Sequence, residues 1–183
     1  VFNLFGIKIE YKKTIFTREE VKHIIKESGE TGVLADGEHK LLHRVFELND
    51  KFAKEVMVPR SKIVAINADM SSDDIVRIIT EEGHTRYPVY RHSIDNVIGI
   101  IHSKAIINML INNPLFVLED LMMEPYFVPE DKEISKILAE FQQKGLHIAI
   151  VRDARGTVSG LIQIKDILKV IFGELTEKTI PDL

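Results

Sequence analysis

The pattern of apolar and polar residues changes near Val56. Before it, Val1–Phe16 alternates loosely without a clear period and reads as a connector or ill-ordered terminus. Thr17-Arg18-Glu19-Glu20 has the form of a capping box, and Val21, Ile24 and Ile25 follow at helical spacing. Gly29 stands where a left-handed residue ends such a helix, and Glu30–Gly37 reads as a loop. Asp36 is placed to cap a second helix, in which Leu41, Val45, Leu48 and Phe52 form one stripe, widened by Leu42, Phe46 and Val56. That helix must stop before Pro59, because the residue preceding proline disfavours helical backbone.

After Val56, short β-branched runs alternate with short amphipathic helices. Lys62–Asn67 predicts a strand, and Ser71 or Ser72 caps a helix that ends at Gly83. Tyr87–Tyr90 and Val97–Ile101 predict strands around a polar turn, Arg91–Asn96. A helix starts at Ser103 and ends at Asn112-Asn113-Pro114. The same order then recurs: strand Tyr126–Val128, a helix from Ile134 to Gly145, strands His147–Val151 and Val158–Ile164 around Arg152–Gly156, and a last helix, Asp166–Phe172.

The recurrence keeps register. Gly83 and Gly145, Ile75 and Ile137, and Val89 and Val151 all lie 62 apart. Past the hairpin, Gly99 and Gly160, and Lys104 and Lys165, lie 61 apart, so the second turn is one residue shorter. Met57 and Met122 are 65 apart. Two β-α-β-β-α units, each too small to bury its own sheet, should pack face to face about a pseudo-two-fold axis, with two related clefts between them.

Composition narrows the function. The chain has 183 residues, 45% hydrophobic and 28% charged, which suits a soluble globular protein and excludes a disordered or fibrous one. The net charge of −4 gives no general reason to expect nucleic acid or an anionic membrane as partner. The absence of cysteine excludes disulfides, zinc thiolate sites and thiol nucleophiles. No apolar run approaches the roughly 18 residues of a membrane span. The start at Val1, without a signal pattern, reads as a piece cut from a longer protein.

Four stretches carry a family resemblance. Glu55-Val56-Met57-Val58-Pro59-Arg60 is similar to an entry motif V-M-T-P-R. Gly83-His84-Thr85-Arg86-Tyr87-Pro88-Val89-Tyr90 is similar to G-H-S/T-R-Y/F-P-V-Y. Asn96–His102 resembles the end of a first repeat, and Gly160–Leu168, with Gly173-Glu174, resembles G-L-V-T-L-E-D-I-L…G-E. In order and spacing these resemble a tandem pair of CBS domains, a Bateman module, of the CorC-like, hemolysin-C-associated transporters and the related CNNM magnesium transport mediators. The resemblance implies an α/β (α+β) fold of two CBS repeats, 56–117 and 118–175. A helical linker, 17–55, precedes them and a tail, 176–183, follows. It also implies a place on the cytosolic side of the protein's own transmembrane domain, regulation of divalent cation movement (Mg²⁺ or Co²⁺ efflux), homodimerisation, and ATP or AMP, with Mg²⁺ for ATP, in the cleft between repeats.

Carried over by position, Asp166 matches the family's ribose acceptor; read alone, it is an ordinary helix N-cap. Gln163 stands where the family has Thr, a longer side chain beside the sugar. The matching first-repeat residues are Ala105 and His102, and Ala105 cannot hold ribose. Arg86 and His84, with Thr85 between them, fit a phosphate role, since guanidinium presents a fork of donors to phosphate oxygens. Arg86 equally reads as a surface ion pair and His84 as a packing residue. Val64 and Ala65 (with Ile66), Leu161 and Ile162 read as a slot for the base or simply as core. His39 and His43 lie one helical turn apart without a third ligand and read as a solvated face. The apolar faces of Asp74–Glu82 and Glu133–Gln143 are expected to pair two modules. Two competing readings are a nucleotide-free dimerisation scaffold, favoured by Gln163 and Ala105, and a hydrolase, against which the missing nucleophile and metal motifs argue.

Overall fold

The computed structural model describes residues 16–112 and 118–173, so the residues at Asn113-Pro114, Glu174 and the 176–183 tail lie outside it. Two compact units divide between Phe46 and Glu47. In the first, helix α1 (Arg18–Glu30) opens with the expected capping box: the Glu20 N–H donates to Thr17 Oγ1 at 3.2 Å and the Thr17 N–H to Glu20 Oε2 at 2.7 Å. Gly29 does not end it. Its backbone is helical, and a Cβ there would lie 2.5 Å from the His39 ring; it is glycine because another helix approaches. The left-handed residue is Gly32, φ 73°. Helix α2 (Asp36–Leu48) includes Asp36 as its first residue, and Glu38 accepts from the Ala35 N–H at 3.1 Å instead.

The second unit begins with the last residues of α2, and the predicted long helix breaks after Leu48. Residues 51–54 are diverted into pairing with the second repeat, the Ala53 N–H donating to Lys132 O (2.8 Å) and the Ile134 N–H to Lys51 O (3.0 Å). A single turn, α3 (Ala53–Val56), follows, then β1 (Val58–Pro59) and a 3₁₀ turn at Arg60–Lys62, which shortens the predicted strand to β2 (Ile66–Asn67). Helix α4 (Ser72–Glu82) is capped by Ser71 and closed by Gly83 at φ 63°. Strands β3 (Arg86–Arg91) and β4 (Ser93–His102) then reverse at His92, φ 67°, a much tighter turn than the polar stretch predicts. Helix α5 (Ser103–Asn112) completes the repeat. The second copy comprises β5 (Phe127–Pro129), α6 (Ile134–Lys144), β6 (Ile148–Arg152), β7 (Val158–Gln163) and α7 (Ile164–Phe172).

The sheets obey the sequence offsets. Ile66 pairs with Val89 as Val128 pairs with Val151, and Tyr87 with Ile101 as Ala149 with Ile162. The repeats also exchange their lead segments. Val58 of β1 pairs with Leu161, so the second sheet runs β1-β7-β6-β5, while Met123 pairs with Ile100 beside the β2-β3-β4 sheet. Met57 and Met122 thereby cover Gly160 and Gly99 of the opposite copy, where a Cβ would meet sulfur at 2.5 and 2.6 Å. Each sheet is buried twice. Tyr87, Val89 and Ile101 face α4 and α5, whereas Ala149, Val151 and Ile162 face α6 and α7. Val97, Ile100, Ile148, Ile150, Val158 and Leu161 form a third core joining the sheets. Burying apolar side chains on both faces accounts for the near-continuous apolar runs of β6 and β7.

Candidate functional site

The pseudo-symmetric packing brings corresponding strand ends together. The Ser103 N–H donates to Thr85 O at 2.9 Å and the Ile164 N–H to His147 O at 3.0 Å, the same bond in each copy. Thr85-Arg86 and His147-Ile148 therefore occupy equivalent places, as do His102 and Gln163. Arg86, His147 and Ile148 line two adjoining cavities. One, about 140 Å³, is completed by Ile100, Met123, Glu124, Gly145 and Leu146; the other, about 120 Å³, by Thr85, Gln163, Ile164 and Lys165.

The predicted site residues separate into two groups. Thr85, Arg86 and Gln163 share one cavity. Asp166 sits beside them, 9% exposed, and accepts the Gln163 N–H at 3.0 Å. It is the third residue of α7 rather than its cap; Gln163 holds the cap position. His84 lies against Tyr87, its backbone N–H donating to the phenol oxygen at 2.8 Å with the rings 5.8 Å apart. The five apolar residues do not come together as one slot, and Ile66 is buried in the first core. Val64 packs on the first core, Leu161 is buried in the core between sheets and Ile162 in the second core. Ala65 lines a separate open cavity of about 850 Å³ with Arg60, Tyr90 and Ser159. The apolar wall beside Arg86 is built instead by Ile100, Met123, Leu146 and Ile148.

The chemistry at this place is cationic. Arg86 lies opposite His102 across β3 and β4. Burial lowers the His102 pKa, and Arg86, Lys104 and His147 lower it further. The Lys104 N–H donates to His102 Nδ1 at 3.2 Å. Among the described residues Arg86 has no ion-pair partner, so it does not act as a surface salt bridge there. Sequence reasoning missed His147, Ile148 and Lys165. The signal was present, because the 62-residue offset carries Thr85-Arg86 onto His147-Ile148 and the 61-residue offset carries Lys104 onto Lys165. The helix faces expected to pair modules are largely spent internally: Ile75 and Ile79 of α4 and Ile134, Ile137 and Phe141 of α6 are buried. Exposed apolar side chains lie on α5 and α7 instead, at Ile107 (46%) and Phe172 (50%). Among the described residues no group of three or more His, Cys, Asp or Glu could hold a metal ion, and no helix is long and apolar enough to cross a membrane.

The CBS domain family model matches residues 53–112 and 118–173. The chain is 34% identical over 184 residues to the UPF0053 protein YrkA of Bacillus subtilis (strain 168), covering 97% of this chain and 42% of that protein. It is 33% identical over 162 residues to the magnesium and cobalt efflux protein CorC of Pasteurella multocida (strain Pm70), covering 88% of this chain and 54% of that one. It thus spans about half the length of the curated relatives it matches. Among solved structures, the CBS domain of the bacterial CNNM/CorC family Mg²⁺ transporter superposes with TM-score 0.80 and 30% identity, over 89% of this chain and 100% of that one. The same domain in complex with ATP gives 0.71 and 31%, over 75% and 99%. A CBS-domain pair with bound AMP from Klebsiella pneumoniae gives 0.57 and 32%, over 67% and 98%.

Proposed function

Since the chain belongs to the CBS-domain family, as a tandem pair of the CorC type, we propose that it is a regulatory module and not an enzyme, and that it binds an adenine nucleotide between its repeats. The observation that carries this is the convergence of Thr85 and Arg86 from the first repeat with Gln163, beside Asp166, from the second. Arg86 and Thr85 take phosphate, Gln163 and Asp166 the ribose edge, and Leu146 and Ile148 offer apolar surface to the base. Mg²⁺ would arrive with the phosphates of ATP rather than on ligands of the protein. In the whole protein the module sits on the cytosolic side of its own transmembrane domain. There a nucleotide with unequal affinity for two arrangements of the repeats shifts their populations and alters movement of Mg²⁺ or Co²⁺. Two modules pair as a homodimer through CBS helices, with Ile107 and Phe172 as contact residues; light scattering at micromolar concentration should give twice the chain mass.

The test is calorimetric titration with ATP and AMP, with and without Mg²⁺, on the chain and on Arg86→Ala. Arg86 is the better probe than Asp166, whose carboxylate also holds the start of α7. Saturable binding that weakens at least about tenfold in the variant, a loss of about 1.4 kcal/mol, supports the reading. One observation favours the alternative, a nucleotide-free dimerisation scaffold: the two cavities are about 140 and 120 Å³, below the roughly 300–1,000 Å³ usual for ligand sites. Binding therefore requires the cleft to open. No heat, and no thermal shift at ligand levels that would stabilise a binder by about 2.7 kcal/mol, would leave the scaffold as the function.

A further inference from the structure

The cations around the cleft are not evenly shared between the repeats. Arg86 opens β3, His102 closes β4 opposite it, Lys104 follows in α5, and His147 shares both small cavities with Arg86. Lys165 of α7 lines one of them. Glu124 is the carboxylate lining the other, and Asp166 is turned back on its own helix start. Among the described residues neither Lys104 nor Lys165 has an ion pair, and Arg86 has none either. Such a cluster is self-repelling until an anion enters it.

We propose that the first-repeat side of this cleft is a proton-linked anion site, in which a phosphate group held by Arg86, His102, Lys104 and His147 brings a proton onto His102. The proposal rests on the nucleotide reading above for one of two phosphate sources, the nucleotide's phosphate arm; free inorganic polyphosphate is the other. His102 carries the linkage because of how it is held. Its Nδ1 accepts the Lys104 N–H, which fits the neutral ring with its proton on Nε2. Burial and then the charges of Arg86, Lys104 and His147 oppose a second proton. A phosphate offsets those charges; the second proton enters at Nδ1, which gives up the Lys104 backbone N–H to the anion, so the bound state holds the proton more tightly than the free state. By linkage, acidification then tightens anion binding through the same residue. At the equivalent second-repeat position Gln163 cannot titrate, so the device belongs to the first repeat.

The experiment measures ATP and inorganic triphosphate affinities by calorimetry at about pH 6 and about pH 8, on the chain and on His102→Gln, which borrows the side chain that the second repeat already tolerates. The terminal phosphate of the ligand titrates in the same range, so the readout is the ratio of wild-type to variant affinity. That ratio is expected to rise from the higher to the lower pH, toward a ceiling of about tenfold for a one-unit shift on His102. Titrations of wild type and His102→Gln in buffers of different ionisation enthalpy should also differ by the proton taken up on His102, since the ligand's own proton is common to both. ATP binding with an unchanged ratio and no difference in proton uptake would overturn the proposal and leave the nucleotide reading intact. Triphosphate binding with the expected ratio while ATP does not bind would support the anion site and sink the nucleotide reading. A linked ratio for ATP alone would support the site as the nucleotide's phosphate arm. Silence of both ligands at both pH values would end both.

Discussion

The two repeats start their last helices differently. In the second, Asp166 returns a carboxylate to the Gln163 N–H; in the first, Ala105 occupies that place and the His102 ring takes the Lys104 N–H. The backbone frame around them is the same, down to the bond that ties each strand end to the helix start. Pairing and core positions thus hold the fold in both copies, while residues at the helix starts are free to diverge in chemistry. Matched substitutions in the two copies test that division.

The largest effect is expected in the cores. Phe141 of α6 and Ile79 of α4 are equivalent by the 62-residue offset, and are 1% and 6% exposed. Phe141→Ala should cost about 3–5 kcal/mol, and Ile79→Ala near the lower end of about 2–5, read from urea unfolding midpoints. Equal losses would mean that the larger ring of the second core adds nothing to its stability over the aliphatic side chain of the first. Next come the glycines under the exchanged methionines. Gly160→Ala and Gly99→Ala should each cost about 1–3 kcal/mol by overpacking, and Gly160→Ala more. A Cβ at 160 meets the Val58 carbonyl as well as Met57, whereas at 99 the three nearest atoms all belong to the Met122 side chain. Adding Met122→Ala should therefore relieve Gly99→Ala, while Met57→Ala leaves Gly160→Ala strained. Relief at both sites would show that backbone crowding plays no part.

The element order, the helix ends at Gly83 and Gly145 and the repeat itself were legible, because each rests on local chemistry or on a register visible along the chain. The exchange of lead segments was not. Met57 meets Gly160 and Met122 meets Gly99, each in the other copy, and periodicity within one segment carries no such information. Gly29 misled for the opposite reason: glycine is chosen both for left-handed backbone and for close approach, and only His39 tells which. At the candidate site, the motifs named Thr85, Arg86 and Gln163, and these line one cavity. The choice between slot and core for the apolar strand residues was not legible, because alternation does not say which face of a doubly buried strand meets a cleft; Val64, Leu161 and Ile162 pack with the cores.

The smallest effect sharpens the comparison further, since it concerns a clamp that one copy lacks. Arg60 pairs with Asp95 through both carboxylate oxygens, Nη2 to Oδ2 at 2.9 Å. Both then grip the backbone of β7: Arg60 donates to Val158 O at 2.8 Å and Asp95 accepts the Val158 N–H at 2.9 Å. At the corresponding second-copy positions stand Pro125 and Gly156, so no second clamp can form. The hydrogen bonds from Arg60 and from the Val158 N–H hold the Asp95 carboxyl down to about 2. Its folded value is thus below the unfolded one, near about 3.9; the contribution is fully present above the unfolded value and is lost as pH falls toward 2. Both side chains are over a third exposed, so the effect is modest and salt-sensitive. Stability of wild type and Asp95→Asn should differ by a constant amount above about pH 5, and the gap should close as the solution is acidified toward the folded value. A gap that persists unchanged to that pH would mean that the Val158 hydrogen bond, which asparagine can still accept, was never strengthened by charge.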